Sequence, residues 1–172
     1  MRWGWWGIVG LLFSQLAFAQ SWETVRAPAG SGTKYVAQTK NADGHTLTIK
    51  RKIGRAGYEA FAHLTLGKGQ KFGKEMPVFQ IDSAPPEDTR FITIAGENLG
   101  QRWGYIAGNE AAWRIWTSPE LELGANDTLV PWRMGNTVKI SYVDDKGKAQ
   151  KTEFSLTGSS AAIGDAVTGP FK

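Results

Sequence analysis

Between Thr137 and Leu156 the chain alternates apolar and polar residues on both sides of a short turn, and this stretch restricts the fold more than any other. Val138, Ile140 and Tyr142 alternate with Thr137, Lys139 and Ser141. After Asp144-Asp145-Lys146-Gly147, Phe154 and Leu156 fall to one side, Glu153 and Ser155 to the other. A period of two marks a strand with one buried face. Gly147 can take the positive φ that a tight hairpin needs. The stretch predicts a β-hairpin whose apolar face other strands must cover.

The rest of the chain supplies such strands. Trp22 and Val25 begin a first candidate, followed by a loop at 27–32. Residues 35–39 and 45–53 read as a hairpin turned by Asp43-Gly44, with Leu47, Ile49 and Arg51 on one side. Residues 58–66 are apolar on both faces, as a central strand is. Gly67-Lys68-Gly69 reads as a hairpin loop, since neither the Gly-Lys-Ser/Thr of a phosphate-binding loop nor a helix follows it. Further strands are expected at 78–82, 90–95, 103–106 and briefly at 121–123; residues 111–116 suit a strand or one helical turn. Pro131 argues against a long helix at 128–135. A short helix is expected over 161–167, capped by Ser159 or Ser160. No 3.6-residue apolar period persists beyond about two turns. The pattern predicts an all-β, single-domain antiparallel β-sandwich with a short C-terminal helix, spanning residues 20–172.

Residues 1–19 read as a secretory signal peptide. Arg2 precedes an apolar run that ends Ala17-Phe18-Ala19, a small-x-small cleavage pattern. The rival, a retained membrane anchor, needs about 20 apolar residues, and Ser14 and Gln15 interrupt a run already short of that. The expected location is periplasmic or secreted, in a bacterial envelope. Cleavage leaves 153 of the 172 residues, with 19 of the 20 basic residues against 16 acidic ones, a net charge of +3. So mild a charge does not argue for nucleic acid. The sequence has no cysteine, which excludes disulfides, thiolate metal sites and cysteine nucleophiles and leaves stability to the apolar core.

Catalytic groups are sparse. His45 and His63 fall in different segments with no HxH or HExxH spacing, so no metal set is expected. No Gly-x-Ser-x-Gly elbow is present. The carboxylate pairs Glu87-Asp88, Glu120/Glu122 and Asp144-Asp145 fall in turn-like contexts. No catalytic residue, cofactor or metal is assigned.

Two features offer binding chemistry. Trp103, Trp113, Trp116 and Trp132 cluster in the second half, with Arg102, Arg114 and Arg133 beside three of them. Exposed, they would form stacking platforms for a sugar or peptide; buried, they are core. Lys50, Arg51, Lys52 and Arg55 form a basic cluster that Lys68, Lys71 and Lys74 extend. Such a patch suits weak contact with anionic surfaces, or it simply solubilises a sheet edge.

The run Gly135-Asn-Thr-Val-Lys-Ile-Ser-Tyr-Val143, the acidic-Gly turn, and Thr152-Glu-Phe-Ser-Leu-Thr-Gly-Ser-Ser-Ala-Ala-Ile163 resemble the ending of the invasion-associated locus B family and of related envelope proteins from Gram-negative bacteria. Trp22 and Pro77-Val-Phe-Gln-Ile-Asp82 agree with that resemblance; the absence of cysteine departs from it. The resemblance implies a periplasmic or surface β-sandwich with no catalytic residue or ligand to carry over. The expectation is an exported, non-enzymatic envelope protein acting through surface contacts with an unidentified envelope protein or glycan. The alternative is a carbohydrate- or peptidoglycan-binding module that uses exposed tryptophans. An enzyme would need His45 or His63 joined to a carboxylate or serine in a pocket.

Overall fold

A computed structural model describes residues 21–27, 35–54, 57–94, 97–101, 103–124 and 128–169, and for 91–94 and 97–101 the backbone path only. The expected leader, most of the 27–32 loop, Arg55 and Arg102 lie outside the described residues. The chain folds as a β-sandwich. Strands β1 (Glu23–Arg26), β2 (Tyr35–Lys40), β3 (Thr46–Gly54), β4 (Gly57–Thr65), β5 (Val78–Ile81), β6 (Glu87–Asp88), β7 (Phe91–Ile94), β8 (Glu97–Gln101), β9 (Gly104–Ala107) and β10 (Glu110–Ser118) precede helix α1 (Val130–Met134). Strands β11 (Thr137–Val143) and β12 (Ala149–Ser155) and helix α2 (Ser159–Thr168) follow. One sheet runs β1-β2-β3-β4-β10-β9 and the facing sheet β12-β11-β5-β6; β7 and β8 pair with each other. Every described pairing is antiparallel.

The expected 137–156 hairpin forms, with Val138 opposite Phe154 and Ile140 opposite Thr152, and Gly147 turns it at φ 79°. Val138, Ile140, Tyr142 and Phe154 are buried, so this alternation builds the inner face of the smaller sheet. β4 lies between β3 and β10, which explains why both its faces carry apolar residues.

Strand β10 settles the open reading of 111–116. The pairing shifts by one residue between Arg114 and Trp116, a β-bulge. Strict alternation sends residues three apart to opposite faces; the extra residue at the bulge returns Trp116 to the face of Trp113. Trp113 then lies opposite Ala62 and Trp116 opposite Ala60. Two alanines with no exposure make room for two indoles in the core. Phe79 of the smaller sheet stacks on Trp113 with centroids 6.2 Å apart and meets Trp132 of α1 at 5.1 Å, joining the layers. Pro131 occupies the first turn of α1, where its missing N–H costs nothing.

Helix α2 packs on β1, β2 and β3 through its buried residues Ala162, Ile163, Ala166 and Val167. Its N-cap is Gly158 at φ 83°, not a serine. Ser159 is fully buried and its hydroxyl donates to the Arg133 carbonyl, 3.4 Å away. The Gly67-Lys68-Gly69 loop does not close a hairpin: β4 pairs with β3 and β10, and the segment after it crosses to β5 in the other sheet. Residues 121–123 form no strand.

Candidate functional site

The tryptophans separate by face. Trp113, Trp116 and Trp132 are 0%, 4% and 1% exposed. A ring enclosed on all sides cannot stack on a ligand, so these three are core and not platforms. Trp103 is 49% exposed. The basic cluster separates for the same reason. Lys50 and Lys52 alternate with Arg51 along β3, and only the lysines point outward. Arg51 is 2% exposed, beside Leu47 and Ile49, and donates through Nη1 to the Val167 carbonyl in the last turn of α2. A cation there satisfies a helix C-terminus, a structural task.

What remains of both sets meets on the outer face of the six-stranded sheet. Register places Tyr105, Ala112, His63 and Thr48 in one row, and Arg114, Phe61 and Lys50 in the next. Trp103 extends the second row, because its carbonyl accepts the Arg114 N–H at 2.9 Å. Trp103 and Tyr105 are two residues apart and share this face, with ring centroids 5.5 Å apart at 74°. Phe61 meets Trp103 edge-on at 5.1 Å. Lys52 Nζ sits over the Trp103 ring at 5.4 Å and the Phe61 ring at 6.0 Å, a cation–π arrangement. One candidate tryptophan and one candidate lysine, 51 positions apart, thus form a single cluster.

Three polar side chains lock the neighbouring row. Glu110 Oε1 accepts from the Tyr105 hydroxyl and lies 2.9 Å from His63 Nδ1. Ala112 beneath them leaves room for this diagonal contact. Desolvation raises the Glu110 pKa, but the Tyr105 and His63 hydrogen bonds outweigh it and hold the carboxyl below its ordinary value. Burial, with the bond to Glu110, pushes the Tyr105 phenol up to about 12. Burial also lowers His63, against the opposing pull of Glu110. A neutral His63 facing an ionised carboxylate carries its proton on Nδ1 and leaves Nε2 as an acceptor. Among the described residues no other side chain hydrogen-bonds to His63. Nearby, Arg114 Nη1 donates to Glu59 at 2.8 Å, both side chains being less than a quarter exposed.

The remaining candidates serve the fold. His45 is buried; its Nδ1 accepts the Gly67 N–H at 2.8 Å, and its backbone N–H donates to Asn41 Oδ1. Asp144 accepts the backbone N–H groups of Lys146 and Lys148, fixing its own turn. Asp88 holds Arg90 through both carboxylate oxygens. A cleft of about 180 Å³ between residues 69–71 and the 144–150 turn contains no histidine. Among the described residues no three His, Asp or Glu side chains are grouped to hold a metal ion.

Tyr105, Phe61 and Glu110 were not singled out from sequence. Their signal was the period of two: Phe61 and His63 lie on the mixed side of β4, and Trp103-Gly-Tyr105 repeats that spacing. Comparison with protein-family models, with curated proteins and with solved structures finds no match to this chain.

Proposed function

We propose that this chain is an exported, non-catalytic binding protein, and that the outer face of its six-stranded sheet holds a glycan against Trp103. The observation that supports this reading is a half-exposed indole held in place from below. Phe61 and Tyr105 contact it edge-on and Lys52 lies across it. A ring held this way loses little conformational freedom when a sugar ring stacks on it. Tyr105, His63 and Glu110 beside it offer polar groups of fixed orientation, the combination that sets direction in a small-ligand site. Export rests on the grammar of residues 1–19, and the resemblance to invasion-associated locus B proteins agrees with it.

Calorimetric titration of the purified protein with chitohexaose, a neutral β-1,4 oligosaccharide, tests the reading. Binding should weaken at least tenfold in Trp103→Ala and partly recover in Trp103→Phe. Binding that ignores both substitutions, or no binding to this or any other glycan, counts against the proposal.

A further inference from the structure

Resting on the glycan reading above, we infer that the preferred glycan is acidic, and that Lys50 and Lys52 read its carboxylates. Among the described residues two carboxylates of the outer face lie near Trp103: Glu59, opposite Lys52 in the register, bonds Arg114, and Glu110 bonds Tyr105 and His63. Neither lysine lies within ion-pair distance of any carboxylate among the described residues. Lys50 and Lys52 are two positions apart on β3 and therefore point to the same side, toward the aromatic cluster. Among the described residues the face thus sets three cations, Lys50, Lys52 and Arg114, against two carboxylates, Glu59 and Glu110, and keeps one positive charge in excess beside a stacking ring. Charge complementarity asks for an anion at the edge of whatever stacks there.

The position of Lys52 supports the same conclusion. Its ammonium rests over Trp103 and Phe61, a weak attraction at an exposed site. A neutral sugar on that face of the ring displaces the lysine and gives it nothing in return. A sugar bearing a carboxylate displaces it into an ion pair. A β-1,4 glycan in which every second residue is N-acetylmuramic acid has this chemistry, because a lactyl carboxylate is added to an otherwise neutral N-acetylglucosamine backbone.

The test compares two probes of equal length: chitohexaose, and the hexasaccharide of alternating N-acetylglucosamine and N-acetylmuramic acid freed of peptides. Both are titrated into the protein and into Trp103→Ala and Lys50→Ala/Lys52→Ala variants whose unfolding midpoints have been checked. The acidic strand should bind about five- to tenfold more tightly at low salt, as expected of two exposed ion pairs. The preference should vanish in the double lysine variant and at about 0.5 M NaCl, where such charges are screened. Trp103→Ala should weaken both probes alike. Equal affinity for the two strands, still dependent on Trp103, overturns this inference and leaves the glycan reading standing. A preference that survives in the double variant also overturns it. Failure of both strands to bind, when no other glycan binds either, removes the glycan reading and this inference together. Tighter binding of oligodeoxythymidylate than of either strand overturns both in favour of single-stranded nucleic acid.

Discussion

Trp113 and Trp103 each adjoin an arginine in sequence, and Trp103 immediately precedes β9, the neighbour of Trp113's strand β10, yet the two meet opposite surroundings. On the inner face Trp113 fills the space left by Ala62 and stacks on Phe79. On the outer face Trp103 leans on Phe61 and Tyr105 with half its surface in solvent. Arg51 and Lys52 repeat the contrast one residue apart, the first buried under α2 and the second over an exposed ring. Flanking residues do not distinguish the members of either pair. The side of the pleat does, because it decides whether a second layer removes water from the group.

The largest break in this comparison is expected from Trp113→Ala. It should cost about 3–5 kcal/mol through lost contacts and a residual cavity, read as a lower urea midpoint by circular dichroism. Next come the adjacent residues of β3. Arg51→Met removes a buried charged donor and should cost about 1.5–3 kcal/mol, whereas Lys52→Met should stay within about 0.5 kcal/mol. Equal effects in that pair would mean that the two faces do not differ as described.

The histidines sharpen the contrast through pH. Both have folded pKa values below the ordinary 6.5, with burial as the leading cause. The unfolded chain therefore takes up protons first as pH falls. Their stabilising contribution is complete above about 6.5 and is lost as pH drops through the folded values. Unfolding midpoints measured from about pH 7.5 to 5.5 should decline. The decline should lessen in His63→Gln and disappear over that range in His45→Gln/His63→Gln. Trp103→Ala should have the smallest effect on stability among the tryptophans, about 1 kcal/mol from its ring contacts and Lys52, while acrylamide quenching of the remaining fluorescence falls.

Much of the fold was legible because its strands announce themselves locally. The 137–156 hairpin, the 35–54 hairpin and the two-sided β4 follow from alternation and turn residues, and the C-terminal helix from its Ala-rich run. The misreadings fell where a local rule met a distant partner. Gly67-Lys68-Gly69 has hairpin chemistry, but the chain leaves for the other sheet. Ser159 is a good cap by type, yet it is drawn inward toward Arg133 and Gly158 takes the cap. The one-residue bulge in β10 is invisible in a pattern of mixed residues, and it alone brings Trp116 onto the face of Trp113. Trp103, Lys50, Lys52 and His63 of the candidate site were named from sequence. Phe61, Tyr105 and Glu110 were passed over because their meaning depends on which strands are neighbours.

The amino-acid sequence determined the class of the protein: a cysteine-free chain of short alternating strands has to bury one face of each strand, and two facing layers achieve that. Tertiary structure decided which of its aromatic and basic residues remain available. Period-two alternation fixes which residues share a face, but which face is covered depends on sheet order, the β10 bulge and the seat of α2. All three are set by contacts between residues far apart in the chain, and burial becomes a property of a side chain only when those contacts form.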